Sequence, residues 1–245
     1  MMGRQQTRNW VLLGILVVAF IALMASTELW AVTLRFLFPE ETQVIHPRAS
    51  PLALLLEHLA LVAISSTITI LVGVPLGIWV TRPSGRDFLP IVSDLTSFGQ
   101  TFSPIAVLAL AVPILGFGVV PTVFALFLYG LMPVVRNTIA GLNAVPHHLL
   151  DAAYGMGMSR FQALLRVELP LSMRVILAGI RISVIINIGT AMIGAAIGAG
   201  GLGSPIVAGL VLDNLAYVIE GALPAAILAV LVDHLLANVE NSFAY

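Results

Sequence analysis

The stretch Asp151–Pro170 reads DAAYGMGMSRFQALLRVELP and is the longest polar-punctuated interval in the later part of an otherwise apolar chain. Just before it, Pro146 suits the first turn of a helix, because its φ is fixed and it has no N–H. That helix is expected to stop in the region of Gly155 and Gly157, where a positive φ costs little. The pattern predicts a short helix followed by a sharp turn.

A second helix is predicted directly after this turn. Ser159 is placed as its N-cap, and Gln162 follows at the spacing of a capping box. Leu169-Pro170 is expected to end this helix and redirect the chain. The segment is too polar to lie in lipid and too short to be a soluble domain. We therefore interpret residues 146–170 as a surface element, called the knob below.

Composition places the rest of the chain in a membrane. Of its 245 residues, 59% are hydrophobic and 9% are charged, with a mean hydropathy of +1.05. Soluble domains carry about 25% charged residues. A spanning helix needs about 20 apolar residues, so this length allows about five to seven spans with short loops.

Two residue types are missing from the chain. It has no cysteine, which excludes disulfides and thiolate metal sites. All eleven basic residues are arginine, and a P-loop needs a lysine to reach the β- and γ-phosphates. If ATP drives this protein, another chain hydrolyses it. The net charge of −1 gives no reason to expect a nucleic-acid partner.

Hydropathy predicts six spans and one long loop. The first span resembles a signal peptide, but a retained helix is the preferred interpretation because an integral protein needs no cleaved leader. Residues 27–50 are expected to form an external loop, with an interfacial piece at Leu29–Phe38. The six predicted spans are Trp10–Ser26, His58–Val80, Leu89–Pro113, Val119–Val135, Val175–Gly198 and Ala216–Ala237.

The arginines predict the orientation. We assign the loops between the spans alternately to the two sides of the membrane. One side then receives only Arg35 and Arg48, and Arg181 lies within reach of the opposite side. Cytoplasmic loops carry the excess of basic residues, so both termini and the knob are predicted to be cytoplasmic. The eight arginines on that side are Arg4, Arg8, Arg82, Arg86, Arg136, Arg160, Arg166 and Arg174.

The knob resembles the cytoplasmic loop of importer permeases that are driven by a separate ATP-binding cassette subunit. In that family the loop reads Glu-Ala-Ala, three residues, Gly, nine residues, Ile, one residue, Leu-Pro. This chain keeps every spacing and departs only by Asp for Glu and Val for Ile. The matching positions are Asp151-Ala152-Ala153, Gly157, Val167 and Leu169-Pro170.

The resemblance implies the fold. We expect an all-α integral membrane protein with six transmembrane helices, both termini inside, and the type I ABC importer permease fold with a cytoplasmic coupling helix. Residues 1–50 would form an N-terminal transmembrane helix and external loop. Residues 51–245 would form the permease core, with the coupling loop at 146–170.

Beyond the knob the chain looks most similar to permeases for osmoprotectants such as glycine betaine, choline or carnitine. Another small solute, such as an amino acid or a sulfonate, remains open as cargo. A secondary transporter or a membrane-embedded enzyme would be expected to show ionisable relays or a catalytic set within the spans, and no such set stands out. The supporting runs are Gly99-Gln100-Thr101-Phe102, Leu115-Gly116-Phe117-Gly118, Arg136-Asn137-Thr138, Gly155-Met156-Gly157-Met158, Val167-Glu168-Leu169-Pro170 and Ile176-Leu177-Ala178-Gly179-Ile180-Arg181.

Family membership would also imply partners and a mechanism. Two ATPase subunits would bind ATP and Mg²⁺, so this chain would need no cofactor or metal of its own and would not be an enzyme. A second permease chain, identical or paralogous, and an extracytoplasmic binding protein would complete a bacterial inner-membrane importer that works by alternating access. The residues expected to contact the ATPase are Leu149, Leu150, Asp151, Ala152, Ala153, Gly157, Met158, Val167, Leu169 and Pro170.

Five polar or aromatic residues in the predicted spans are candidates for the translocation pathway. Asp94 is an acid inside a span, where charge is costly and often functional, although it also fits a hydrated interfacial position. Asn187 and Thr190 fit interhelical hydrogen bonding as well as pore lining. Gln100 is another polar residue in the same span as Asp94. Phe102 is the fifth candidate, because aromatic faces attract quaternary ammonium groups, although they also pack against lipid.

A glycine-rich run and two histidines suggest other sites but lack the required context. Gly198–Gly203 matches the dinucleotide fingerprint, which binds nucleotide only between a strand and a helix. Here it follows a membrane span, so a flexible external turn is the expected structure. His147 and His148 have no third ligand at metal spacing, and a solvated position facing a partner is expected instead.

Overall fold

The computed structural model describes residues 2–243, with side chains from Thr7 onward. Met1, Ala244, Tyr245 and the side chain of Arg4 therefore lie outside the described residues. Within that range the chain is helical, and no strand occurs in it. The first helices are α1 (Met2–Ala25), α2 (Thr27–Leu37), α3 (Pro51–Val80), α4 (Leu89–Thr101) and α5 (Pro104–Leu115). The others are α6 (Val119–Asn143), α7 (His147–Gly155), α8 (Arg160–Ala163), α9 (Leu169–Gly194), α10 (Gly203–Leu212) and α11 (Leu215–Ser242).

Five helical stretches are long and apolar enough to cross a membrane, and a broken pair adds a sixth if it counts as one span. This agrees with the predicted number. The span predicted at Leu89–Pro113 falls on a broken pair of helices, Arg86–Thr101 and Pro104–Leu115, which is bent at its break. Phe102 and Ser103 are extended at that break, and the Ser103 hydroxyl caps α5 by accepting the Ala106 N–H at 3.2 Å.

The chain forms two compact units, each assembled from separate stretches. One, called unit 1, contains residues 1–65, 103–126 and 185–235. The other, called unit 2, contains residues 66–102, 127–184 and 236–245. Because each unit combines distant stretches, its core depends on contacts that the local sequence does not reveal. The predicted boundary between residues 50 and 51 stays a prediction.

In unit 1, the segment after α2 is tied to the start of α11. Gln43 accepts the Tyr217 hydroxyl at 3.0 Å through its side chain, and its backbone carbonyl accepts the Asn214 amide at 2.9 Å. The Leu215 N–H donates to a Glu41 carboxylate oxygen at 3.2 Å. The predicted interfacial piece is helix α2, in which Trp30 is buried at 2% exposure. Residues 38–50 are therefore an ordered, hydrogen-bonded loop.

The glycine-rich run in unit 1 differs from the expected flexible turn. Ala199, Gly200 and Gly201 are buried, and the Gly201 N–H donates to a Glu57 carboxylate oxygen at 2.8 Å. A buried backbone donor needs a partner, and this carboxylate provides it. The run connects α9 to α10 with no strand before it in the described residues, so the context for a dinucleotide site is missing.

In unit 2, α6 and α9 pack closely because one glycine has no side chain. A Cβ placed on Gly179 would lie 2.5 Å from the Asn137 Cβ and 2.7 Å from the Pro133 carbonyl oxygen. Small residues at such crossings let helix backbones approach in a membrane. At the end of α11, Glu240 lies 3.7 Å from Arg174 and 3.4 Å from Arg181. These two ion pairs join the C-terminal end of α11 to the first part of α9.

Candidate functional site

The knob has the predicted first half. Helix α7 begins after Pro146, which is extended at φ −62° and ψ 130°, and it ends at Gly155. Gly157 then adopts φ +83°, the left-handed conformation that favours glycine. A side chain at Gly157 would meet no atom within 4 Å, so backbone conformation alone requires glycine there. The predicted helix and turn are confirmed.

The predicted capping box is also present. The Ser159 hydroxyl accepts the Gln162 N–H at 3.3 Å, and the Gln162 side chain accepts the Ser159 N–H at 2.8 Å. Two backbone donors at the start of a helix are thereby satisfied. The entry of α8 is fixed by local contacts.

The end predicted for this second helix is wrong. Leu169-Pro170 does not redirect the chain, because a continuous helical stretch runs through Arg160–Ile197. Between α8 and α9, residues Leu164–Glu168 form a π-helical turn, in which the Leu169 N–H donates to the Leu164 carbonyl. A wider turn leaves room for the Pro170 ring, which would otherwise clash with a carbonyl of the preceding turn. The knob is therefore continuous with a membrane-spanning helix.

The predicted contact residues of the knob differ in exposure. Ala153 is buried at 1% exposure, so it packs inside unit 2 and is not available to a partner, unlike its predicted role. Leu149, Asp151, Ala152 and Gly157 are exposed. The partly exposed members are Leu150, Met158, Val167, Leu169 and Pro170.

Sequence reasoning missed three exposed apolar side chains on the knob. Met156 is 72% exposed, Phe161 is 68% exposed and Tyr154 is 44% exposed. They lie beside the left-handed turn at Gly157 and at the start of α8. The signal was present, because large apolar residues in an otherwise polar loop indicate a surface that a partner covers.

A second omission is the contact that holds the knob. The Arg82 guanidinium, in the loop after α3, donates to both carboxylate oxygens of Glu168, at 2.9 and 2.5 Å. Glu168 is buried at 4% exposure. Beside this pair, a cavity of about 480 Å³ is lined by residues including Arg86, His147 and Tyr154. The pair ties the knob to the α3–α4 loop within unit 2.

Three of the five pathway candidates lie in unit 2. Asp94 is exposed and lines a cleft of about 290 Å³ together with Arg136. The Gln100 amide donates to the Tyr129 carbonyl at 2.8 Å, and the Tyr129 hydroxyl donates to the Phe102 carbonyl. Gln100 and Phe102 thus meet at Tyr129 and fasten the end of α4 to α6.

The other two candidates lie in unit 1. Asn187 is fully buried, and its amide donates to the Ser65 hydroxyl at 3.4 Å. That contact is a hydrogen bond between α9 and α3, and a role of Asn187 in the pathway stays a prediction. Thr190 is partly exposed three residues further along α9.

Unit 1 also contains a buried carboxylate that sequence reasoning missed. Glu220 is 1% exposed, and one of its oxygens accepts the His46 backbone N–H at 2.8 Å. The His46 ring lies edge-on to Tyr217, with centroids 5.4 Å apart. Burial, and then the nearby Arg48 cation, lower the pKa of the His46 imidazole below its usual 6.5. His46 is therefore neutral in the docked loop near pH 7.

No group of three or more His, Asp or Glu side chains in the described part of the chain is placed to hold a metal ion. His147 lines the cavity beside the knob, and both His147 and His148 are exposed.

Comparison with known proteins gives a family match and close relatives. Residues 73–245 match the family described as binding-protein-dependent transport system inner membrane component. The chain is 41% identical over 217 residues to the osmoprotectant import permease protein OsmY of Salmonella typhimurium, covering 89% of each chain. It is also 41% identical over 185 residues to the glycine betaine/carnitine/choline transport system permease protein OpuCB of Bacillus subtilis, covering 76% of this chain and 84% of that protein.

A solved structure shares the fold. It is described as an inward facing conformation of the MetNI methionine ABC transporter, and it aligns with a TM-score of 0.69 at 22% sequence identity. The alignment covers 77% of this chain and 94% of that chain. At this identity the likeness concerns the fold alone.

Proposed function

The chain belongs to the family of inner membrane components of binding-protein-dependent transport systems, and from this premise we propose that it imports a small osmoprotectant. It is a multi-pass membrane permease subunit with the type I importer fold. The proposed cargo is of the betaine or quaternary ammonium type. Relatives at 38–41% identity carry the names of osmoprotectant, glycine betaine, choline and carnitine permeases, and this supports the choice.

The single observation that carries the proposed mechanism is the geometry of the knob. A capped helix pair presents exposed Leu149, Asp151, Met156 and Phe161, and its second helix continues directly into a spanning helix. A partner that binds this surface moves the spanning helix with it, because the helical stretch from α8 into α9 is continuous. The partner is an ATPase subunit that binds ATP and Mg²⁺, and this chain binds no cofactor itself.

Both termini and the knob lie on the cytoplasmic side in this proposal. Arg82 pairs with Glu168, so the end of α3 and the knob are at the same end of unit 2. Helix α6 crosses the membrane once and leads to the knob, so it begins on the opposite side. Residues 86–115, which connect α3 to α6, therefore cross once as a broken span. Glu240 pairs with Arg174, which brings the end of α11 to that same end. The arginine excess on this side supports its assignment to the cytoplasm.

The complete importer is proposed to contain two ATPase subunits, two permease chains and an extracytoplasmic binding protein. The second permease is a copy of this chain or a paralogue. The binding protein delivers cargo, and alternating access carries the cargo inward as ATP closes the ATPase pair. Selectivity is then divided between the binding protein and the permease pathway.

Site-directed cross-linking tests this proposal cleanly, because the chain has no native cysteine. Met156→Cys places one thiol on the exposed face of the knob, and Glu40→Cys places one in the exposed loop after α2. With the ATPase co-expressed, the Met156→Cys thiol should cross-link to it, and the Glu40→Cys thiol should not. Labelling of the Met156→Cys thiol by an impermeant maleimide added outside intact cells would overturn the proposed orientation and the coupling role together.

A further inference from the structure

The cleft that contains Asp94 has two walls of opposite character. Within unit 2 it lies between α4 and α6 and encloses about 290 Å³. This is at the small end of ligand pockets, which hold about 300–1,000 Å³. A compact solute matches that volume better than a drug-sized one. Its lining includes Ser93, Asp94 and Ser97 from α4, and Met132, Arg136 and Ile139 from α6.

The α4 wall favours a cation. Asp94 supplies a carboxylate, and Ser97 lies one turn away on the same helix face. The Ser97 hydroxyl donates to the Ser93 carbonyl at 2.7 Å, and the Thr96 hydroxyl donates to the Val92 carbonyl at 2.8 Å. Because both protons are used within the helix, these hydroxyls present only lone pairs to a ligand.

The α6 wall favours an anion. Arg136 is exposed at the cleft, and its guanidinium suits two-point binding of a carboxylate. In the described part of the chain, Arg82, Arg174 and Arg181 all form ion pairs, and Arg136 forms none. Asp94, which lines the same cleft, also forms none there. Each charge therefore has a free side for a ligand.

The cleft is held in shape at one end. The Gln100 amide donates to the Tyr129 carbonyl, and the Tyr129 hydroxyl donates to the Phe102 carbonyl. These two bonds fasten the C-terminal end of α4 to α6. Asp94 lies toward the N-terminal end of α4, beyond this fastening, where the two helices leave room for a solute.

We propose that the cleft between Asp94 and Arg136 is a transport subsite for a zwitterion, with its ammonium group toward Asp94 and its carboxylate toward Arg136. The inference rests on the proposed function and adds a specificity to it. A transported solute that carries both charges forms favourable interactions with both walls. A cation without a carboxylate gains only from the α4 wall, so Arg136 distinguishes the two classes.

Uptake by the complete importer in proteoliposomes tests the subsite. The probes are labelled glycine betaine, which is a zwitterion, and labelled choline, which has the same ammonium group without a carboxylate. Arg136→Gln should lower glycine betaine uptake by about tenfold or more and choline uptake by less than about twofold. Asp94→Asn should lower the uptake of both. Arg35→Gln and Asp87→Asn remove exposed charges elsewhere and should change neither.

Equal losses of both solutes in Arg136→Gln, or no loss, would overturn the subsite, because a structural or lipid-binding arginine acts on both cargoes alike. If Arg136→Gln does not assemble, Arg136→Lys is the second variant, because it keeps the positive charge but loses the planar guanidinium that binds a carboxylate at two points. It should still lower glycine betaine uptake more than choline uptake. Equal losses there would overturn the subsite as well.

The failure of the proposed function looks different. If the wild-type importer moves neither solute, the osmoprotectant function fails. If it moves choline but no carboxylated cargo, that function stands and the zwitterion subsite is overturned.

Discussion

The Arg82 guanidinium and the Glu168 carboxylate form a two-point ion pair across 86 residues of sequence, with contacts of 2.9 and 2.5 Å. Glu168 belongs to the π-helical turn that joins the knob to the spanning helix α9. Arg82 belongs to the loop after α3. Force applied to the knob is therefore resisted at two places, the helix itself and this ion pair.

Replacing Arg82 should loosen that attachment. Arg82→Gln leaves the buried Glu168 charge without its partner, which is expected to cost about 2–3 kcal/mol of stability, because Arg82 is itself partly exposed. Scanning fluorimetry of the purified permease measures the loss as a lowered Tm. Arg86→Gln is the matched control, since the exposed Arg86 forms no ion pair within the described residues, and it should shift the Tm little. Equal shifts in both variants would contradict the anchoring role.

Gly157→Val should uncouple transport without blocking insertion. Valine at φ +83° is strained by about 1–2 kcal/mol or more, so the turn that joins the two helices of the knob is expected to reshape. Uptake should be lost while the amount of protein in the membrane stays normal. Gly155→Ala is the control, because Gly155 is helical and an added Cβ meets no atom within 4 Å. Normal uptake by Gly157→Val would count against docking through the knob.

Close packing of α6 against α9 makes a separate prediction. Gly179→Ala places a Cβ 2.7 Å from the Pro133 carbonyl oxygen, which should cost about 1–3 kcal/mol through overpacking. In the same helix, Gly189 has no atom within 4 Å of an added Cβ. Gly189→Ala should therefore be neutral or stabilising by up to about 1 kcal/mol. Thermal unfolding of the two variants in the same detergent compares them directly, and a Gly179→Ala protein as stable as Gly189→Ala would refute the packing argument.

Docking of the loop after α2 should weaken in acid. The pKa of His46 is lowered in the docked loop, so the released loop binds more protons below about pH 6.5. The contribution of the neutral His46 imidazole to docking is complete above that pH and is lost as the pH falls toward the lowered pKa. Hydrogen exchange of the amides of residues 44–46 and 48, corrected for intrinsic rates, should show less protection at about pH 5.5 than at about pH 7.5.

A variant assigns this pH effect to one group. The titratable or charged groups that face His46 are Arg48, Tyr217 and Glu220. His46→Asn keeps the backbone N–H that donates to Glu220 and removes the imidazole. Its protection should change little with pH. The same loss of protection in this variant would contradict the assignment of the effect to the His46 imidazole.

Sequence signals of short range predicted the structure well. The helix after Pro146, the turn at Gly157 and the Ser159–Gln162 capping box depend on residues within a few positions of one another, and all are present. The spans followed from hydropathy in the same way. Local chemistry determines such elements, because their main hydrogen bonds close within one turn.

Contacts of long range were not predictable from one sequence. Nothing near Arg82 indicates that it meets Glu168, and nothing near His46 indicates Glu220, which is 174 residues away. The rule that proline ends a helix also failed at Pro170, because the π-helical turn at Leu164–Glu168 accommodates the ring. The roles of the pathway residues stay predictions for the same reason, since solute contacts depend on how distant stretches meet.

The broken span has a consequence for biogenesis. Helix α4 has 13 residues and α5 has 12, so each is about 18–20 Å long, whereas the hydrocarbon layer is about 30 Å thick. Neither half is long enough to enter the lipid from the translocon as a complete spanning helix. The Phe102 carbonyl would also lie in hydrocarbon without a hydrogen-bond donor. The hydroxyl that donates to this carbonyl belongs to Tyr129, on a helix that has not yet been synthesised when residues 86–115 leave the ribosome. Residues 86–115 are therefore expected to integrate into the bilayer late, after α6 has been synthesised.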